Sequence, residues 1–252
     1  MIQPAIHLIV TRCEQVSDDL LDRYTHLLSD DERQRNQRFR FARDRRRDLI
    51  ARALLRTQLA ERLELAPQSL VFSRGEHGKP ALESHSQATS NLQFNLSHAG
   101  DWVVLAIADK RVGVDIEYTS RDNDVMAIAD RYFFGNEINQ LKSFNENDQR
   151  QRFFDYWTLK EAYMKARGEG ISLGLSNFGF SIIDKQDITI ETKPCLNDSP
   201  SDWQFLLATP EPDYRLSLAI NSHVKPSLQC YECIPLKSIK SLGAIRSDLL
   251  FN

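Results

Sequence analysis

Two periods of hydrophobic recurrence alternate along this chain, and each switch between them marks a change of element. Alternation predicts a first strand over Ala5–Thr11, and an amphipathic pattern predicts a helix over Ser17–Leu28. Ser29, with Glu32 three residues later, forms a capping box that opens a short basic helix. Arg43–Leu63 reads as a longer helix, with Leu49, Ala53 and Ala60 on one face and Arg46, Arg47 and Arg52 flanking it. Leu70–Ser73 is expected to be a strand, Gly75–Pro80 a turn and the polar stretch Glu83–Ser90 an exposed loop. Three short strands follow over Leu92–Leu96, Trp102–Ala108 and Arg111–Tyr118, joined by Gly100-Asp101 and Asp109-Lys110 turns.

The order then starts again. Helices are predicted over 124–133, 136–144 and 148–167, the last stopped by Gly168-Glu169-Gly170. Strands follow near 178–184, 187–192, 203–208, 214–220 and 227–234. Helices first and antiparallel strands after, twice over, predict an α+β protein of two similar units. The boundaries expected are 1–114, 115–234 and a tail, 235–252, in which Leu242–Leu250 is a candidate helix.

Composition narrows the class without fixing the function. With 41% hydrophobic and 27% charged residues the chain is an ordinary globular one. No run of eighteen apolar residues predicts a membrane span, and Met1–Val10 reads as a strand and not a signal peptide. Four cysteines and no targeting segment point to the cytoplasm. Cys230-Tyr231-Glu232-Cys233 is a CxxC, but on a strand residues three apart face opposite sides, so buried thiols are expected and not a zinc or redox pair.

Charge is unevenly distributed. Residues 33–56 carry ten arginines against Asp44 and Asp48, a local +8, which leaves −11 for the rest of a chain whose total is −3. Such a chain is not a general polyanion binder but has one basic wall, suited to a phosphate-bearing partner.

The acidic residues carry the chemistry. In Val112-Gly113-Val114-Asp115-Ile116-Glu117 the strand pattern puts both carboxylates on one face. Phe154, Trp157, Glu161 and Met164 share a helix stripe, which sets a carboxylate among apolar neighbours, a costly placement unless a cation or donors meet it. Three such carboxylates are the hard oxygen ligands that Mg²⁺ prefers.

Asn95-Leu96-Ser97-His98, Trp102, Gly113-Val114-Asp115-Ile116-Glu117, Phe133-Phe134 and Trp157-Thr158-Leu159-Lys160-Glu161-Ala162-Tyr163-Met164-Lys165 together resemble the 4′-phosphopantetheinyl transferases. The length and two-part layout look like the larger Sfp-type class. The resemblance spans roughly 25–235, with all blocks in order. It implies two α+β subdomains in a pseudo-twofold arrangement with the site in the cleft between them. It also implies transfer of the phosphopantetheine arm of coenzyme A to a serine of an apo acyl or peptidyl carrier protein, with release of adenosine 3′,5′-bisphosphate.

Residue by residue, the resemblance makes Asp115, Glu117 and Glu161 the Mg²⁺ ligands. Glu161 is also the acid proposed to take the serine proton, and Glu137 matches a further acid near the metal. Lys160 and Lys165 match lysines that hold phosphates, Ser97 and His98 a block that contacts coenzyme A, and Gly78-Lys79-Pro80 a turn packed on the adenine. Arg47 falls at the arginine for the 3′-phosphate and Arg35 at another basic position. Three residues before Arg35, where the family pattern includes a further lysine, this chain has Glu32. The implied enzyme is a cytoplasmic monomer acting on an acidic carrier, with no nucleic acid or membrane as partner. Two other readings fit parts of the same sequence: a metal-dependent pyrophosphohydrolase acting on a nucleotide or coenzyme A, and a nucleic-acid binder using the Arg33–Arg56 helices. The acidic remainder, and the lack of aromatics among those arginines apart from Phe39 and Phe41, argue against the second.

Overall fold

A computed structural model describes residues 4–75, 78–83, 92–120, 123–185 and 187–242. In chain order the elements are β1 (Ala5–Arg12), α1 (Asp18–Thr25), α2 (Asp30–Gln37), α3 (Ala42–Leu63), the hairpin β2 (Phe72–Arg74) and β3 (Pro80–Leu82), β4 (Gln93–Ala99), β5 (Trp102–Ala108) and β6 (Val112–Tyr118). There follow α4 (Val125–Tyr132), α5 (Gly135–Ser143), α6 (Glu146–Arg167), β7 (Phe178–Ile182), β8 (Ile188–Thr192), β9 (Trp203–Ala208), β10 (Tyr214–Asn221), β11 (Ser227–Ile234) and β12 (Ser238–Ser241). The α+β class expected from the sequence is the observed one.

Two sheets form the centre. One has five strands in the order β12-β11-β1-β5-β4, the other three in the order β6-β10-β9. Pairing is antiparallel except between β1 and β11, which run parallel. α1 and α3 cover the outer face of the large sheet through Leu20, Tyr24, Leu49, Leu54 and Leu59 against Ile9, Val103, Leu105 and Ile107. The inner faces meet in a second core, where Ile6, Leu8, Val104 and Ala106 pack on Val112, Val114, Ile116, Leu216 and Leu218. A third core joins α4, α5 and α6 to β7, β8 and β9. The result is a four-layer stack, helix–sheet–sheet–helix, whose middle interface is apolar and shared by both halves.

This topology departs from the sequence-drawn boundaries in two places. The strand predicted near 227–234 was expected in the second half, yet Ala5–Val10 pairs with Ser227–Glu232, so the chain returns to the first sheet. The short β12 then adds an edge that the pattern Ser238–Ser241 does not announce. A boundary at 114/115 also cuts β6, which lies whole in the three-stranded sheet on β10. The halves are therefore interlocked through β11 and the shared inter-sheet core. Most of the expected Glu83–Ser90 loop and the candidate helix Leu242–Leu250 lie outside the described residues.

Cys230 lies in the inter-sheet core and Cys233 in the α3-side core, so the two thiols face opposite sides of β11. Burial raises both to about 12.

Candidate active site

The site lies on the seam where β4, β6 and α6 meet. β6 buries both faces: Val112, Val114 and Ile116 enter the inter-sheet core, and Gly113, Asp115 and Glu117 face α6. Gly113 makes this possible. A Cβ there would stand 2.0 Å from the Ala162 carbonyl oxygen and 2.6 Å from the Ala166 nitrogen, so only glycine allows the helix backbone to lie this close to the strand. The second sheet is also pinned to α6 by a 2.7 Å hydrogen bond between the hydroxyls of Thr158 and Ser217.

The Asn-x-Ser of β4 acts as a pair of side-chain clips onto β6. Asn95 Oδ1 accepts from the Val114 amide at 2.9 Å, and Ser97 Oγ accepts from the Ile116 amide at 3.3 Å. These bonds join strands of different sheets and fix Asp115 between them. Ser97 Oγ donates to Asp115 Oδ1 at 2.9 Å and accepts from Lys165 Nζ at 3.0 Å. Its one proton and two lone pairs are then all used. Ser97, for which the resemblance implies a contact with coenzyme A, is buried and orients Asp115.

Asp115 is 3% exposed, with its Oδ1 on the Lys165 ammonium at 2.6 Å. Its Oδ2 is buried and has no hydrogen-bond partner. Glu117 Oε1 accepts from the Trp157 indole at 3.3 Å. Glu161, one helical turn before Lys165, is half-buried. Its pKa is raised, first by burial and then by the Asp115 charge, against the pull of Lys165. The three predicted carboxylates thus come from adjoining elements, and their hard oxygens together with the orphaned Oδ2 suit a divalent cation. Among the described residues, however, no three His, Cys, Asp or Glu side chains stand ready as a ligand cluster. Lys165 neutralises Asp115 in their place.

His98 opens to solvent at the end of β4, but the surrounding protein lowers its pKa, and the Arg47 and Lys165 charges add to that. Arg47 reaches the adjoining turn: its guanidinium donates to the Gly100 carbonyl at 3.2 Å and to Asp44 at 2.9 Å, leaving a buried Nε without a partner. Arg35 lies half-buried in the last turn of α2. Lys79 is at the other end of the seam, where its ammonium donates to the carbonyls of Val112 at 3.3 Å and Ala166 at 3.4 Å. Burial, then Arg111, brings its pKa down to about 8. Lys79 and Pro80 line a 350 Å³ cavity with Phe94, Arg111 and Arg167.

Two residues leave the site. Lys160, read as a phosphate ligand, is fully buried: its ammonium meets Glu137 at 2.8 Å and the carbonyls of Leu175 at 2.9 Å and Phe178 at 2.6 Å, above the Phe178 ring. Glu137, read as an acid near the metal, is the other half of this pair. It caps α5 through the Phe134 amide and receives the Phe180 amide at 2.9 Å. Burial raises the Glu137 pKa and lowers that of Lys160. The error has a cause: α6 is enclosed on almost every side, so the stripe that carried Glu161 does not leave Lys160 in solvent.

Glu32 explains the departure noted in the sequence. It keeps the Ser29 capping box and binds the buried Arg56 at 2.7 Å, so this position holds α2 against α3 and offers no cation. Gly113, Asn95 and Thr158 stand inside the quoted motifs, but sequence reasoning assigns them no role. Only for Asn95 did the motif give a signal, since a polar residue alternating into a strand demands a partner.

Comparison with known proteins gives the family. Residues 15–110 match the family described as 4′-phosphopantetheinyl transferase, N-terminal, and residues 111–219 match the 4′-phosphopantetheinyl transferase superfamily. The 4′-phosphopantetheinyl transferase HetI of Nostoc is 31% identical over 221 residues, 87% of this chain and 89% of the relative. A 4′-phosphopantetheinyl transferase of Bacillus subtilis is 30% identical over 200 residues, 77% of this chain and 87% of the relative, and Sfp of B. subtilis strain 168 is 29% identical over 203 residues, 81% and 86%. With the ordered motifs, the two matched halves and relatives spanning most of its length, the chain belongs to the 4′-phosphopantetheinyl transferases.

Proposed function

We propose that this enzyme moves the phosphopantetheine arm of coenzyme A to the serine of an acidic apo carrier protein with Mg²⁺, releasing adenosine 3′,5′-bisphosphate. The observation that carries the reading is the Asp115–Ser97–Lys165 cluster with Glu161 beside it. Asp115, Glu117 and Glu161 would hold the Mg²⁺, whose charge offsets that of the pyrophosphate oxygens. Lys165, whose ammonium lies against Asp115 and Ser97, supplies a cation for a phosphate, and a charge on a flexible stem suits a group that moves during transfer. Glu161, one helical turn from Lys165 and close enough to Asp115 to feel its charge, is a carboxylate placed to take the serine hydroxyl proton. Lys79 at one end of the seam and Arg47 with His98 at the other span roughly 20 Å, from about 3.3 Å per residue along Phe94–Gly100. That length suits an elongated ligand with phosphates at more than one point. The partnerless Nε of Arg47 is a donor suited to one of them.

All four cysteines are free, which supports a reducing compartment such as the cytoplasm. No helix among the described residues is long and apolar enough to cross a membrane. The test is the intact mass of an apo carrier protein incubated with the enzyme, coenzyme A and Mg²⁺, with and without chelator. A phosphopantetheine increment lost on chelation is expected. Coenzyme A hydrolysis without carrier modification would mark a pyrophosphohydrolase and defeat the proposal.

A further inference from the structure

Most of the basic wall proves to be internal. Arg46 binds Asp18, Arg47 binds Asp44, Arg56 binds Glu32, and Arg33 binds Asp30 and the Leu28 carbonyl. Arg45 caps the carbonyl of Phe39 at 2.8 Å. Arg52 lies 3.6 Å from Asp48, and apart from Arg35 on α2 what is left lies at the turn between α2 and α3. The side chains of Arg38 and Arg40 make no ion pair or hydrogen bond among the described residues, and that of Arg43, 83% exposed, is 3.9 Å from Asp44. Between them Phe39 is 40% and Phe41 51% exposed, large apolar rings in open water. The guanidiniums of Arg40 and Arg43 stand 5.4 and 5.5 Å from the Phe41 ring.

This turn is held in shape. Asn36 Nδ2 donates to the Arg45 carbonyl and to Asp48, both at 2.8 Å, so the exposed groups need little ordering when something binds. Arginine and aromatic side chains presented together are the composition that dominates the energetics of protein interfaces. The ridge is also near the chemistry: Arg47, which touches the β4–β5 turn beside His98, is only about 9 Å further along the α3 axis from Phe41, at about 1.5 Å per residue.

We propose that the Phe39–Arg43 ridge is the docking surface for the carrier protein, with the carrier's acidic face on Arg38, Arg40 and Arg43 and Phe41 as the apolar contact at its centre. This rests on the transferase reading above. Two guanidiniums with no carboxylate beside them among the described residues, and a third only 3.9 Å from an Asp44 that Arg47 already holds at 2.9 Å, call for carboxylates from a partner, and a substrate docked here stands beside the seam where its serine must arrive.

The test varies apo carrier and coenzyme A independently in carrier-loading kinetics for the wild type, R38E/R40E and F41S. The double charge reversal is expected to raise KM for the carrier about tenfold at low salt. The difference should narrow as salt shortens the Debye length below about 10 Å. KM for coenzyme A and kcat should hold, which also shows that the variant is folded. F41S should raise the carrier KM at every salt concentration. Lysine substitutions on the carrier's acidic face should restore loading by R38E/R40E and impair it with the wild type. An unchanged carrier KM overturns the proposal, as does a rise in the coenzyme A KM, which would make the ridge a contact for nucleotide phosphates. Loss of oligonucleotide binding with carrier KM intact also overturns it, in favour of nucleic acid. If the wild type loads no carrier at all, the transferase reading fails and the ridge proposal with it.

Discussion

Lys160→Met decides between the role the motif suggests for this lysine and the one the fold assigns. The substitution removes the only cation paired with Glu137 among the described residues, and it takes a donor from the Leu175 and Phe178 carbonyls. Both side chains of the pair are fully buried, so solvent screening does not soften the loss. Breaking one partner of a buried pair costs about 3–5 kcal/mol, because the other charge stays buried and uncompensated. For a chain of this size each kcal/mol is worth roughly 2–4 °C, so a fall of roughly 10 °C in Tm is expected. The pH dependence has a definite sign. Without Lys160 the already raised Glu137 pKa rises further, and a carboxyl with a raised folded pKa is less destabilising when protonated, so the gap to wild type narrows as pH falls toward the ordinary carboxylate range. Adding Glu137→Gln should recover part of the loss, since an amide oxygen still accepts from the Phe134 or Phe180 amide without a charge. The assay is thermal unfolding by calorimetry, paired with carrier loading well below the lowered Tm. Normal loading by an unstable protein supports the reasoning. A Tm within a degree or two of wild type together with lost loading would refute it and return Lys160 to the phosphates.

Three further outcomes follow from the site. Gly113→Ala should both destabilise the protein and abolish carrier loading, since its Cβ would lie 2.0 Å from the Ala162 oxygen and must push α6, with Glu161 and Lys165, away from Asp115; unfolding and loading measured on one preparation check this. Asp115→Asn and Glu161→Gln should each lower loading at least a hundredfold with the circular dichroism spectrum unchanged, and retained loading in both would remove these residues from the chemistry. With its pKa near 8, Lys79 loses its charge above that pH, so KM for coenzyme A should climb through pH 8 in the wild type and stay flat in Lys79→Met. The stability term has the opposite sense: unfolded lysine holds its proton to about 10.4, so burial of Lys79 disfavours folding below pH 8 and that penalty fades as pH rises from 8 to 10.

Much of this protein was legible without coordinates. The periodicity located nearly every helix and long strand, because which way a side chain points is a local property of the backbone. The Ser29–Glu32 box closed as the sequence predicted, and Gly168, with φ of 78°, ends α6 where the glycines foretold. The motif order gave the family. The acids of β6 and α6 do share one seam, since residues two apart on a strand face one side.

What covers each face was decided only by the tertiary structure. Strands 5–12 and 227–234 pair although more than two hundred residues separate them, and no local signal encodes a partner at that distance. β6 reads as half-buried, yet a helix covers its polar side. That contact raises the Glu161 pKa and places Lys165 on Asp115. Lys160 and Glu161 are neighbours in sequence with similar polarity, and they part ways because α5 and β7 close over one while β6 faces the other. Sequence period fixes the direction of a side chain; the desolvation and charge it meets, and so its chemistry, come from whatever the rest of the chain brings opposite.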